Sequence, residues 1–103
     1  MMVIKMINAK DELLKIVEAD DILAASVIYK DGAELKKVTL SVGGNVDEFL
    51  AQLDFQYENK SDGWQNLHGN VWLRNGTWLD RAEGNASEWW EHRVCPAIPD
   101  YLK

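Results

Sequence analysis

The chain of 103 residues holds one cysteine, Cys95, so no disulfide can form within it, which fits a reducing compartment. Only two prolines occur, Pro96 and Pro99, and both lie near the C-terminal end. Regular structure is therefore free to run through most of the chain. No apolar run approaches the length of a membrane span. Met1 to Ile7 is apolar but short and lacks a small-residue cleavage site, so a signal peptide is not expected. Positive charge is scarce where it would matter for nucleic acid. Residues 1–43 carry 6 basic and 7 acidic side chains, whereas residues 44–103 carry 5 and 10. Clustered Lys and Arg are needed against a phosphate backbone, so direct nucleic-acid binding is not expected.

Tryptophan is what the chain has in excess. Trp64, Trp72, Trp78, Trp89 and Trp90 all fall in the acidic half. Tryptophan offers a large rigid apolar body and one N–H donor, which suits cores and recognition surfaces alike.

The length and ordinary composition fit a single domain over residues 1–103. Asn8 can cap a helix over residues 9–19, with Leu13, Ile16 and Val17 on its apolar face. Residues 2–7 fit either a strand or a backward extension of that helix. Ile22–Lys30 and Glu34–Val42 read as a hairpin around Asp31-Gly32, with Leu23, Ala25, Val27, Val38 and Leu40 on the buried face. Asn45 can cap a second helix, in which Val46, Phe49, Leu50 and Leu53 share a face. Phe55-Gln56-Tyr57 alternates like a strand, and Asn59 to Gly63 is loop chemistry.

Asn75-Gly76 predicts a two-residue type I′ turn that pairs Leu73 with Trp78 and Trp72 with Leu79. Glu83-Gly84-Asn85 reads as a further turn, and Glu88–Val94 as a strand. The prolines leave an extended tail in which Ile98, Tyr101 and Leu102 are free to dock. The fold class is α+β: two short helices packed on a mainly antiparallel sheet, with a C-terminal Trp-rich β-meander. If residues 2–7 are a strand, residues 2–58 follow the ferredoxin-like order βαββαβ.

Several segments resemble a group of small proteins from tailed bacteriophages and prophages, to which no activity is assigned. They are Leu53-Asp54-Phe55-Gln56-Tyr57, Gly69 to Arg81 with Asn75-Gly76-Thr77-Trp78, Gly84, Ser87-Glu88-Trp89-Trp90-Glu91-His92, and Cys95-Pro96-Ala97-Ile98-Pro99. The group carries an Arg-Gly-Glu-Tyr-Asp-Gly turn where this chain has Arg81-Ala82-Glu83-Gly84-Asn85-Ala86. It also has a Gly-rich loop where this chain has Asn59 to Gly63. The resemblance implies a phage origin and action in the cytoplasm of a bacterial host.

The candidate binding residues are Trp64, Trp72, Glu88, Trp89, Trp90 and Glu91. Neighbours in a strand point to opposite faces, so Trp89 and Trp90 cannot both enter one core. One of them is expected in the core with Trp72, Trp78 and the helices. The other is expected near Glu88 or Glu91, either exposed or covered by the tail. An exposed tryptophan framed by acids suits a basic surface on a host protein. A sugar-stacking platform is a weaker use of the same rings. His68, His92 and Cys95 make a poor zinc set without a CxxC, and Cys95 before a proline reads as a small hydrophobe rather than a nucleophile. Neither a metal nor a cofactor is expected, and no catalytic residue stands out.

The expected function is that of a non-enzymatic phage accessory protein which binds and modulates a host protein, as in counter-defence. The alternatives are a small enzyme or ligand-binding protein with a pocket at the sheet edge, and a homodimeric structural protein.

Overall fold

In a computed structural model of the chain, residues 6–31, 34–58, 66–84, 87–94 and 100–102 are described. Strand β1 (Met6–Asn8) runs directly into helix α1 (Ala9–Leu14). Asn8 accepts a hydrogen bond from the Asp11 backbone N–H, which is the expected cap. Its amide also donates to Asp54, and that bond, with nearby Lys10, holds the Asp54 carboxyl below its usual value. The helix is shorter than the 9–19 expected. After Leu14 come Lys15 and two β-branched residues, Ile16 and Val17, which gain little from helix. Leu13 and Val17 still pack inward, while Ile16 is exposed.

A short 3-10 turn (Ala19–Asp21) leads to β2 (Ile22–Asp31) and β3 (Glu34–Leu40). The pair is a hairpin, but its register is Ala25↔Leu40, Val27↔Val38 and Asp31↔Glu34. Asp31 is thus a paired strand residue and not part of the expected Asp31-Gly32 turn, and residues 32–33 lie outside the described residues. Each strand residue meets a partner two positions away from the expected one. Because the shift is even, Ala25, Val27, Val38 and Leu40 keep the buried face. A bulge between Ile22 and Ala24 changes one member of that set: Ile22 enters the core and Leu23 is only half-buried.

Helix α2 (Val46–Gln52) is capped by Asn45, which accepts from the Glu48 N–H. Phe49, Leu50 and the following Leu53 are buried, as their spacing implies. Strand β4 (Gln56–Glu58) then pairs antiparallel with β1 in a two-stranded sheet. The order βαββαβ is thus present in the chain. The ferredoxin-like arrangement is not, because β1 and β4 stand apart from β2 and β3 instead of sharing one sheet.

Strands β5 (Leu67–Leu73), β6 (Trp78–Gly84) and β7 (Ser87–Arg93) form the expected meander. They extend the hairpin into a five-stranded antiparallel sheet of order β3-β2-β5-β6-β7. Gly69 lies where β5 meets β2, with φ of +137°. A Cβ there would sit 1.9 Å from the Ser26 carbonyl oxygen, so the two strands pair at this point only because the side chain is absent.

The β5–β6 turn differs from the expected one by a single residue. The register is Trp72↔Trp78 and Val71↔Leu79. The Gly76 N–H donates to the Leu73 carbonyl at 3.1 Å, and the Leu73 N–H to the Thr77 carbonyl at 2.9 Å. This is a three-residue loop ending in a left-handed glycine, Gly76, at φ +87°. Asn75 favours it by accepting from both the N–H and the hydroxyl of Thr77.

One face of the five-stranded sheet packs against the helices and the small sheet. Leu13, Phe49, Leu53 and Tyr57 join Ile22, Val27, Val38, Leu67, Val71 and Leu79 in one hydrophobic cluster. A 3-10 turn (Asp100–Leu102) holds part of the tail, but Tyr101 is 84% exposed and does not dock. Ile98 lies outside the described residues.

Candidate functional site

Strand β7 divides the tryptophan pair. Trp90 is 4% exposed and Trp89 is 40% exposed. The buried side has a specific chemistry. Glu88 alternates with Trp90 and therefore points inward with it. Its carboxylate accepts from the backbone N–H groups of Asn66 at 2.7 Å and Leu67 at 3.0 Å. It also accepts from the Arg81 guanidinium, at 3.0 Å from Nε and 2.7 Å from Nη2. Arg81 reaches across to Glu12 on α1 at 3.0 Å and donates to the Tyr57 hydroxyl on β4 at 2.7 Å. Tyr57 in turn donates to Glu12.

One buried guanidinium thus joins the large sheet, the small sheet and the first helix. The Arg81 plane also lies over the Trp90 ring, 5.1 Å from its centre. Burial opposes the charge on Arg81, but the attraction of Glu12, Tyr57 and Glu88 outweighs it and raises its pKa. Burial drives the Tyr57 pKa upward, and the hydrogen bond to Glu12 adds to this while Arg81 opposes it. These groups hold one another in place. Two expectations are corrected here. Glu88 and Trp90 belong to the core and not to a contact surface. Trp72 and Trp78 do not pack around Trp90: the one-residue slip at Asn75-Gly76 makes them cross-strand partners on one face, and that face is the other one.

That other face is open. The register sets its residues side by side in rows across the strands. Ser26 lies between Thr39 and Asn70, and Asp80 between Asn70 and Glu91. Trp72 lies between Ala24 and Trp78, with Arg93 beyond Trp78. On the other side of the polar row come Lys37, Ile28 and His68, then Ala82 and Trp89. None of these side chains is buried. Trp72 is 44% exposed, far more than a core tryptophan. Asn70 donates to Asp80 at 3.1 Å, and Arg93 ties Asp80 and Glu91 at 3.3 and 3.2 Å.

No family model, curated protein or solved structure matches the chain. The site therefore rests on its own geometry. Of the six residues expected to bind, the open face holds Trp72, Trp89 and Glu91. Trp64 lies outside the described residues. Trp78 was not among the six, although it is the cross-strand neighbour of Trp72. The signal for it was the Asn75-Gly76 loop read with three residues instead of two.

The histidines are not brought together. His68 lies on the open face. His92 is on the opposite side of the sheet at the β7 edge, where its Nε2 meets the Thr77 hydroxyl at 2.7 Å. Cys95 lies outside the described residues. No group of three metal-ligating side chains occurs among the described residues. No helix among them is long and apolar enough to cross a membrane. A cleft of about 580 Å³ does lie at the β3 edge, lined by Tyr29, Glu34, Leu35, Lys36, Phe55 and Gln56. Lys36 Nζ sits 4.6 Å from the centre of the Phe55 ring, and Phe55 packs on Tyr29. Among the described residues neither a histidine nor a buried carboxylate lines this cleft.

Proposed function

We propose that the chain is a non-enzymatic binding module that engages a partner protein through the open face of its large sheet. The observation that carries this reading is that one face, without a buried residue, presents Trp72 and Trp78 side by side and Trp89 across the polar row. Exposed aromatic side chains on an otherwise uncovered face mark contact surfaces, and tryptophan is among the residues enriched in binding hot spots. The resemblance to phage proteins makes a bacterial host protein the natural partner, and modulation of that protein the natural outcome.

Asp80 and Glu91 give the face its acids, and both are held by Arg93. An arginine or lysine of a partner would compete with Arg93 for them, which fits a basic patch on that partner. Comparative capture from a bacterial lysate tests the reading. The double variant Trp72→Ala/Trp89→Ala should stay folded and lose the host protein that the unaltered chain retains. Equal retention by a folded double variant would move the contact surface elsewhere.

A further inference from the structure

The open face is also complementary to itself. We propose that, in the absence of its partner, this face is covered by a second copy of the chain. The copies form an isologous dimer whose two-fold axis lies between the sheets and runs along the strands. The proposal rests on the reading of the open face as a contact surface.

The axis follows from the register. Rotation about a line parallel to the strands keeps each row opposite itself and reverses the order of the strands. The central strand β5 then faces its own copy, β2 faces β6, and the two edge strands β3 and β7 face each other. On the axis Trp72 stacks on Trp72 of the second copy and His68 on His68, while beside it small side chains fall opposite larger ones: Ala24 meets Trp78, and Ala82 meets Ile28. Lys37 on β3 lands on Trp89 and beside Glu91 on β7, a cation over an indole ring next to a carboxylate. In the middle row Ser26 faces Asp80 and Thr39 faces Glu91, each a hydroxyl donor against a carboxylate.

The other in-plane axis, perpendicular to the strands, lays every strand on itself. It would set Asp80 against Asp80 and Glu91 against Glu91, which like-charge repulsion opposes. Sheets stacked with their strands nearly aligned are also an established packing mode. Strand and residue spacings give the face a footprint of about 500 Å² per copy. That is below the roughly 800 Å² per partner of a standard stable interface, so the dimer exchanges readily and yields its face to a partner.

Sedimentation equilibrium from about 5 to about 200 µM tests this, because that range spans a micromolar dissociation constant. The expected result is a reversible monomer–dimer equilibrium. Lys37→Glu and Glu91→Lys should each weaken the dimer by roughly tenfold or more, and the double charge swap should restore it to within about threefold. Far-UV circular dichroism establishes that each variant is folded. A monomer throughout the range would overturn the proposal, as would a dimer that the charge swap fails to restore. The partner-binding reading is tested separately by capture with Trp72→Ala/Trp89→Ala, and it survives if that variant loses the host protein while the unaltered chain is monomeric.

Discussion

Glu88 and Glu91 flank the same tryptophan pair in the sequence, yet the structure places them in opposite environments. Glu88→Gln should therefore destabilise the fold strongly and Glu91→Gln hardly at all. The Glu88 carboxylate accepts from Asn66, Leu67 and two nitrogens of Arg81. Glutamine keeps the volume but presents one oxygen and one NH2. If the oxygen faces Arg81, the NH2 opposes the Asn66 N–H, and turning the amide round only moves the conflict to the guanidinium. Removing one partner of a buried ion pair costs roughly 3–5 kcal/mol. Arg81 retains Glu12, which moderates the loss to about 3 kcal/mol. For a domain of this size that lowers the thermal midpoint by about 12 °C or more. Among the described residues Glu91 pairs with the exposed Arg93, and such a pair is worth less than about 1 kcal/mol. Urea unfolding followed by tryptophan fluorescence measures both variants. Equal losses would refute the assignment of Glu88 to the core network.

Three further predictions concern the same framework. Because the Tyr57 pKa is raised in the folded chain, the unfolded chain loses that proton first as pH rises through its ordinary value. Stability is thus fully present below about pH 10 and falls above it by up to about 1.4 kcal/mol per pH unit. Tyr57→Phe should remove that part of the alkaline loss, and urea titrations from about pH 8 to about pH 11 will show whether it does. Gly69→Ala should cost roughly 3 kcal/mol or more, since it combines a disfavoured φ with a clash against the Ser26 carbonyl. A thermal midpoint within a few degrees of the unaltered chain would show that β2 and β5 do not approach as described. Gly76→Ala should cost only about 1–2 kcal/mol, because the added Cβ meets nothing within 4 Å and only the backbone conformation is penalised. The ordering of the two losses in parallel urea melts distinguishes a steric cause from a purely conformational one.

Local signals in the sequence located most elements, and long-range pairing decided what they could not. Asn8 and Asn45 announced both helices because capping involves only residues three apart. The hairpin of β2 and β3 kept its correct faces despite a shifted register, because an even shift preserves the alternation. The Asn75-Gly76 loop shows the converse. Asn75 accepts from Thr77 across a loop one residue longer than the two-residue turn, and that odd step makes Trp72 and Trp78 cross-strand partners on the open face, where the two-residue turn would have set them on opposite faces.

Nothing local marks Glu88 as a core acid, because its partners, Arg81 and the N–H groups of Asn66 and Leu67, lie seven or more residues away. The alternation that buries Trp90 already placed Glu88 on the same side. The separation of β1 and β4 into their own sheet had no local signature at all, since the order of elements is the same in either topology.

The central claim is that one strand assigns Trp90 to the core and Trp89 to a contact surface. Paired measurement of folding stability and partner retention for Trp89→Ala and Trp90→Ala tests it most directly. Trp90→Ala should lose roughly 3–5 kcal/mol, as for a buried large aromatic. Trp89→Ala should stay within about 1 kcal/mol of the unaltered chain and release the partner. A Trp89→Ala chain that unfolds, or that stays folded and holds its partner unchanged, would contradict the account.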